Sequence, residues 1–125
     1  MAKQYKSVVL IAIVGMLIVL LYRSFIAANT EITPAEAKQN KSKGLYDYIV
    51  DVRTDREWSE EHLADTIHIS IGELVTELPK QIPDRSARIL FICKKGVRAS
   101  AVVVIAHKLG YKNVQSMIGN YKELL

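Results

Sequence analysis

The only cysteine in the sequence, Cys93, opens the segment whose residue types and spacing could carry out chemistry. The five residues after it are Lys94, Lys95, Gly96, Val97 and Arg98, so three cations lie close to one thiol. Cations and backbone N–H groups stabilise a thiolate over a thiol, and the thiolate is the nucleophilic form. Gly96 lets a loop wrap closely around the sulfur because it has no Cβ. The segment predicts a nucleophilic Cys93 in an anion-binding loop, and the alternative is a buried structural cysteine.

This loop is predicted to lie between a strand and a helix. Residues 88–92 form an apolar run typical of a buried strand. Residues 98–109 place four apolar side chains on one helical face, with Gly110 as the C-terminal cap; these side chains are Val102, Val103, Ala106 and Leu109. The β-branched run at 102–105 could also be a strand, but the spacing and Gly110 favour a helix. Open α/β sheets bind ligands where a parallel strand ends and a helix begins, so this position suits an anion site.

The remaining segments predict further alternation of helices and strands. A polar connector around residues 29–31 precedes a helix that Thr33 caps, with Pro34 at its first position and an end between Asn40 and Gly44. The other predicted elements are a strand at 46–52, a helix that Thr54 caps and that runs through 56–62, a short strand at 67–69, a helix with a Ser70/Glu73 capping box that Pro79 ends, and a strand at 113–117. This order predicts an α/β fold with a small parallel sheet flanked by helices on both faces.

Several segments together resemble successive landmarks of a rhodanese domain. They are Asp51-Val-Arg-Thr54, Glu57-Trp58, Glu61-His62-Leu63, Cys93-Lys-Lys-Gly-Val-Arg-Ala-Ser100 and Leu109-Gly-Tyr-Lys-Asn-Val114. The resemblance covers residues 31–125 and implies a five-stranded parallel sheet. It also implies that Cys93 carries sulfane sulfur as a persulfide and that residues 94–98 cradle the persulfide and the substrate. Trp58, the Asp51/Arg53 pair and His62 equally suit structural roles in packing, strand-end hydrogen bonding and a turn.

Three features depart from the pattern of that family. Its usual Gly-His-Ile-x-Gly turn is Glu61-His-Leu-Ala-Asp65 here, its late glycine pair is Gly119-Asn120, and no tryptophan stands near the end. Asn and Asp are the non-glycine residues that best tolerate a left-handed backbone. We therefore expect the fold to be retained, with a lower stability than is typical of the family.

The resemblance implies a sulfurtransferase, and two other function classes compete with it. A cysteine phosphatase or arsenate reductase uses a related cradle with five residues between cysteine and arginine, whereas four separate Cys93 from Arg98. A tetrahedral phosphate needs a wider nest of N–H groups than one sulfur atom does, so the spacing favours sulfur chemistry. A noncatalytic, membrane-anchored binding module is the other alternative, and such modules often lack the cysteine. The predicted substrates are a small anionic donor, thiosulfate or a persulfide, and an acceptor that is cyanide, a small thiol or a protein.

Residues 1–28 predict a single-pass membrane anchor, and residues 29–125 predict the rhodanese domain. Residues 8–22 are free of charge, Lys3 and Lys6 precede them, and Arg23 follows, where its side chain could reach the headgroups. The alternatives are a cleaved secretory signal, whose small residues would be badly placed for cleavage, and a core helix, which would show a polar stripe. The positive-inside count slightly favours an extracytoplasmic domain.

Composition excludes several other classes of function. Lys3, Lys6 and Arg23 are the basic residues that precede Glu31, the first acidic residue, and the remaining 14 basic residues face 13 acidic ones. The folded part is thus nearly neutral, which argues against nucleic acid as a partner. One cysteine allows no internal disulfide bond. The histidines lie at positions 62, 68 and 107, without the spacing of metal ligands, and we predict no metal and no cofactor.

Overall fold

The computed structural model describes residues 2–28 and 30–125, and for residues 2, 3 and 22–28 it describes the backbone alone. Five helices and five strands alternate along most of the described chain. The strands are β1 (Glu31–Ile32), β2 (Tyr48–Asp51), β3 (Ile67–His68), β4 (Ile89–Ile92) and β5 (Val114–Met117). The helices are α1 (Ala2–Ala28), α2 (Pro34–Ser42), α3 (Asp55–Glu60), α4 (Leu74–Gln81) and α5 (Val97–Lys108), with 3₁₀ turns at Ile71–Glu73 and Tyr121–Leu124.

The strands form one parallel sheet in the order β1-β5-β4-β2-β3. The central strand β4 pairs with β2 through Ile92 opposite Asp51, and with β5 through Phe91 opposite Ser116. Because the paired strands run in the same direction, their carboxyl ends lie along one edge of the sheet. The predicted α/β fold is confirmed, and the segment that follows β4 begins at the middle of that edge.

Successive side chains of β4 point alternately into two hydrophobic cores, one on each face of the sheet. Ile89, Phe91 and Cys93 belong to the core that α4 and α5 cover, which also holds Val102 of α5 and Leu78 of α4. Leu90 and Ile92 belong to the opposite core, together with Ala37 of α2 and Tyr121, Leu124 and Met117 near the carboxyl terminus. Successive strand residues point to opposite faces. The side chain of Cys93 therefore lies on the α5 side of the sheet.

Three of the predicted helix ends are confirmed. Thr33 Oγ1 accepts a hydrogen bond from Glu36 N at 3.2 Å, and Pro34 is the first helical residue. Thr54 and Glu57 form a reciprocal capping box at the start of α3. Gly110, at φ +97°, follows α5, while Tyr111 N donates to the Ala106 carbonyl. The run at 102–105 is helical, as its spacing and Gly110 predicted.

The structure corrects the prediction for residues 29–31 and for both ends of the helix after Ser70. Asn29 lies outside the described residues, but Glu31 belongs to an edge strand and pairs with Ser116. Ser70 makes no side-chain cap, because the chain first forms a 3₁₀ turn and α4 begins at Leu74. Pro79 lies inside α4, whereas it was expected to end it. Pro79 has no N–H to donate to the carbonyl four residues earlier, which belongs to Val75, a residue that is 60% exposed.

Helix α1 contains the one span of the described chain that is long and apolar enough to cross a membrane. That span is Gln4–Leu21, with a mean hydropathy of 2.2, and all its side chains are exposed. A signal sequence near an N-terminus has the same length and composition. The predicted position of the Arg23 side chain lies outside the described side chains.

Candidate active site

Cys93 follows β4 directly at the carboxyl edge of the sheet and is 1% exposed. Its Sγ accepts a hydrogen bond from the backbone N–H of Gly96 at 2.9 Å. Its carbonyl oxygen accepts one from Tyr121 N at 2.9 Å, which ties the strand end to the carboxyl-terminal turn. The loop therefore curls back so that a backbone N–H donor points at the sulfur atom.

Gly96 makes this curl possible through both its conformation and its lack of a side chain. Its φ is +81°, in the left-handed region that L side chains rarely adopt. A Cβ at this position would lie 2.9 Å from Gly119 N and 3.0 Å from Ile118 Cα. These are backbone atoms, which cannot move aside as a flexible side chain does. The Cys93 loop thus packs directly against the chain that follows β5.

The structure brings the predicted site residues together around one small pocket of about 160 Å³. Its lining consists of Cys93, Lys94, Lys95, Val97 and Arg98, and Gly96, in the same loop, is buried. Val97 is 73% exposed at the rim, and Lys94 and Lys95 are exposed as well. Among the residues that the structure describes, neither lysine forms an ion pair, so both are available to an incoming anion.

Arg98, in contrast, is already paired. Its Nη1 donates to Glu57 Oε1 at 2.6 Å and its Nη2 to Glu57 Oε2 at 3.0 Å. This hydrogen bond is the largest cause that lowers the pKa of the Glu57 carboxyl, to about 2, and Thr54 contributes through its backbone and side-chain hydrogen bonds. The sequence predicted Arg98 as a site residue but gave no indication of this partner. The only signal at Glu57 in the sequence was its place in the Glu57-Trp58 segment of the family resemblance.

A second, more polar pocket of about 240 Å³ adjoins the first and shares Lys94 with it. The other lining residues are Arg53, Glu57, Glu60, Glu61, Asn120, Tyr121 and Lys122. Arg53 is buried, forms a two-pronged ion pair with Asp51 and lies 3.8 Å above the Tyr121 ring. The Asp51/Arg53 strand-end pair that the sequence suggested is therefore present. Tyr121 and Lys122 were not anticipated, because only the fold returns the carboxyl terminus to this edge.

The other landmark residues take structural positions beside the site. Trp58 is half-buried and stacks between His62, at 3.7 Å between ring centroids, and His68, at 4.9 Å. His62 Nδ1 lies 2.7 Å from the Trp58 carbonyl oxygen in the turn after α3. Asp65 adopts φ +59°, so an aspartate supplies the left-handed backbone expected at the departing turn. In the described part of the chain, no group of three His, Cys, Asp or Glu residues is placed to hold a metal ion.

Comparison with known proteins agrees with this fold. A family model described as "Rhodanese-like domain" matches residues 33–125. A thiosulfate sulfurtransferase, GlpE, of Coxiella burnetii is 31% identical over 74 residues, which are 59% of this chain and 67% of the relative. A putative sulfurtransferase, YtwF, of Bacillus subtilis is 29% identical over 84 residues, 67% of this chain and 80% of the relative. A crystal structure of a rhodanese-related protein from Thermoplasma volcanium superposes with a TM-score of 0.63 at 27% identity, covering 76% of this chain and 89% of that one.

The family match spans most of the chain, from the cap of α2 to the last residue. The five-stranded parallel sheet carries the Cys93 loop at its carboxyl edge, and the two relatives named above are described as a thiosulfate sulfurtransferase and a putative sulfurtransferase. The chain therefore belongs to the rhodanese-like domain family.

Proposed function

We propose that the protein is a membrane-tethered sulfurtransferase that carries sulfane sulfur on Cys93. The observation that carries this proposal is the Gly96 N–H aimed at Cys93 Sγ at 2.9 Å, beside a pocket whose two lysines form no ion pair within the described part of the chain. A backbone donor and cations favour the thiolate, which is the form that attacks sulfur. The similarity to sulfurtransferases supports the same type of activity.

The proposed reaction is a double displacement. The Cys93 thiolate attacks the outer sulfur of thiosulfate, the S–S bond of the donor breaks, and sulfite leaves with the bonding electron pair. The protein then holds a Cys93 persulfide anion. An acceptor thiolate or cyanide attacks the outer sulfur, the persulfide S–S bond breaks, and the Cys93 thiolate is restored with a new persulfide or thiocyanate as product. No proton needs to move in either step, so no general base is required.

Other residues of the small pocket would bind the donor and stabilise the negative charges that the reaction involves. Lys94 and Lys95 attract the donor dianion and stabilise the charge that collects on departing sulfite. The Gly96 N–H stabilises the sulfur anion, and the backbone of Val97 opens α5, whose N-terminal dipole favours negative charge. Arg98 borders the same pocket, although Glu57 compensates its charge.

The membrane part of the proposal concerns residues 8–28 as the anchor of a domain that spans residues 29–125. The Gln4–Leu21 span supports it by length and hydropathy. We place the domain on the extracytoplasmic side, because Lys3 and Lys6 lie before the span. A membrane-impermeant thiol reagent tests this side, since Cys93 is the only cysteine to be labelled. Labelling only after membrane disruption would reverse the assignment.

Intact-mass measurement tests the persulfide directly. The full-length protein in detergent should gain the mass of one sulfur atom after incubation with thiosulfate and lose it to cyanide. The Cys93→Ser variant should show neither change while keeping its unfolding temperature, because the hydroxyl can still accept the Gly96 hydrogen bond but is not ionised at neutral pH.

Two other outcomes would replace this proposal. A folded wild-type protein that never gains sulfur would indicate the noncatalytic binding module. Hydrolysis of an aryl phosphate that depends on Cys93, without sulfur transfer, would indicate the phosphatase class. Transfer in Cys93→Ser above a few per cent of the wild-type rate would rule out the persulfide mechanism.

A further inference from the structure

Two arginine–carboxylate pairs lie at opposite edges of the sheet, and only one of them faces the Cys93 pocket. Arg98 and Glu57 join the start of α5 to α3 at the carboxyl edge. Arg88 and Asp47 join the segments before β4 and β2 at the amino edge, with Nη2 to Oδ1 at 3.1 Å and Nε to Oδ2 at 3.3 Å. Both pairs are two-pronged, and both join residues 41 positions apart. The second pair is therefore a matched reference for the first.

The carboxylate of Glu57 is fixed from two sides. Arg98 binds both of its oxygens, and Thr54 donates to Oε1 from its backbone N at 3.2 Å and from its Oγ1 at 3.0 Å. The lowered pKa of Glu57 keeps this carboxylate ionised at every pH in which the protein would work. Near neutral pH, a full negative charge therefore lies against the Arg98 guanidinium.

Arg98 also lines the pocket that holds the Cys93 thiol. Both residues line the small pocket, and the pKa of Arg98 is raised chiefly by its hydrogen bond to Glu57 and to a smaller extent by the charge of Cys93. Of the three cations that follow Cys93 in sequence, Arg98 is thus paired, whereas Lys94 and Lys95 form no ion pair with any residue that the structure describes. The attraction that the pocket exerts on anions is lower than the sequence of the loop suggests.

We propose that Glu57 is a specificity-determining residue, which limits the positive charge of the Cys93 pocket so that inert dianions occupy it only weakly. Near neutral pH, sulfate carries as much charge as thiosulfate and phosphate nearly as much, but neither offers sulfane sulfur. A third uncompensated cation would strengthen the binding of all three, and the unreactive ones would then block the thiol. With Glu57 in place, the protein distinguishes thiosulfate from sulfate and phosphate more by the reaction of the thiol with sulfane sulfur than by charge. This inference rests on the proposed function, since it assigns the discrimination that a sulfur donor site needs.

Alkylation of Cys93 measures the charge of the pocket without requiring turnover. The full-length protein in detergent is treated with iodoacetate, an anion, or with neutral iodoacetamide, and the ratio of the two rate constants is compared among variants. Because the chain has a single cysteine, intact mass reports modification of Cys93 alone. For one unit charge near the thiol, we expect Glu57→Gln to raise the ratio about 3-fold and Arg98→Gln to lower it about 3-fold. The double variant should return to the wild-type ratio, because both charges are gone.

A second measurement uses sulfate itself. Sulfate should protect Cys93 from iodoacetamide at a concentration about 10-fold lower in Glu57→Gln than in the wild type, because the ion carries two charges. Asp47→Asn removes the matched carboxylate from the distant Arg88 and should change neither the alkylation ratio nor the protection. Unfolding temperatures of all variants identify any that do not fold, and Arg98→Gln still tests the ratio if Glu57→Gln is one of them.

Equal changes in both alkylation rates, or a double variant that keeps the ratio of Glu57→Gln, would overturn the inference, because Glu57 would then act through loop structure. The proposed function fails differently. If the ratios shift as expected but thiosulfate never yields a persulfide, the charge assignment stands and the sulfurtransferase proposal is rejected.

Discussion

At the scale of single residues, the two lysines after Cys93 are chemically alike but differently placed. Lys94 lines both the small pocket and the polar pocket beside it, whereas Lys95 lines only the small one. Neither forms an ion pair among the residues that the structure describes, and Arg98 is compensated by Glu57. Most of the uncompensated positive charge around the thiol therefore comes from these two side chains.

Replacing Lys94 and Lys95 together with glutamine should lower kcat/KM for thiosulfate by about 10- to 30-fold. Each exposed lysine contributes ~1 kcal/mol to the attraction of a dianion, and both act on encounter and on sulfite departure. Steady-state kinetics at several salt concentrations check this, because the wild-type rate should fall more steeply with salt than the variant's.

The matched control for the lysines is Lys108→Gln with Lys112→Gln. These two lysines lie at the far end of α5 and just after it, so kcat/KM should stay within about 2-fold of the wild-type value, as expected for distant screened charges. In the Lys94/Lys95 variant, kcat/KM for a neutral persulfide donor should fall far less than kcat/KM for thiosulfate. Equal losses with charged and neutral donors would show that the lysines shape the loop and do not recognise charge.

At the scale of elements, the β4-loop-α5 unit depends on one close backbone contact. Gly96→Ala should lower the free energy of unfolding by about 2 to 4 kcal/mol and abolish persulfide formation, because the new Cβ meets the backbone at 118–119. Chemical denaturation and the mass assay measure the two effects.

A comparison of Gly44→Ala with Gly96→Ala distinguishes the effect of steric overlap from the effect of backbone strain. Gly44 also has a positive φ, +68°, but an added Cβ would have no atom within 4 Å. Gly44→Ala should therefore cost only about 1 kcal/mol and leave sulfur transfer intact. If Gly96→Ala and Gly44→Ala cost the same and both remain active, the contact between the loop and the chain after β5 does not position the thiol.

The link between α3 and α5 predicts a pH dependence of stability. The pKa of Glu57 is about 2 in the folded protein and 4.5 ordinarily, so its contribution is complete above pH 4.5 and is lost as the pH falls towards 2. At pH 6 the wild type should exceed Glu57→Gln by about 1 to 2 kcal/mol, allowing for solvent screening of the partly exposed pair. Denaturation at a series of pH values should show this difference shrinking between pH 4.5 and 2. A difference that stays constant over this range would mean that Arg98 does not stabilise the ionised carboxylate.

The sequence predicted the parts of the fold that depend on local patterns. The apolar run before Cys93 and the caps at Thr33, Thr54 and Gly110 were sufficient, because strand alternation and capping are encoded within a few residues. The prediction that Pro79 ends its helix was wrong. The cost of a proline inside a helix depends on whether the carbonyl four residues earlier can bond to water, and the sequence does not give the exposure of that position.

Only the part of the candidate site that lies in one continuous segment of the chain could be predicted from the sequence. Residues 93–98 are consecutive, so their meeting around the thiol followed from the sequence. Glu57 and Tyr121 reach the loop through the strand order, from 41 residues before Arg98 and from the turn after β5. No local pattern carries that information. The loop therefore looked more cationic in sequence than it is in the folded protein.

At the scale of the whole molecule, the described chain consists of an apolar helix and an α/β domain. The side chains of the Gln4–Leu21 span are exposed, whereas the two hydrophobic cores consist of residues between Ile32 and Leu124. The domain thus completes its cores without residues of α1. The anchor would contribute location, and the domain would contribute the chemistry.

Deleting residues 1–28 should give a soluble protein with kcat/KM for thiosulfate within about 2-fold of the full-length value. Every residue of the two cores and both pockets at the carboxyl edge is retained, and β1 keeps its pairing with β5. The full-length protein should sediment with membranes through its apolar span and be released by detergent but not by high salt, since hydrophobic insertion is insensitive to screening. Sedimentation and thiosulfate kinetics on both proteins measure these properties, and replacing Leu17 and Ile18 with lysine in the full-length chain is the control that should also prevent membrane association. A truncated domain that is folded by circular dichroism yet inactive would show that α1 takes part in the site as well as in its location.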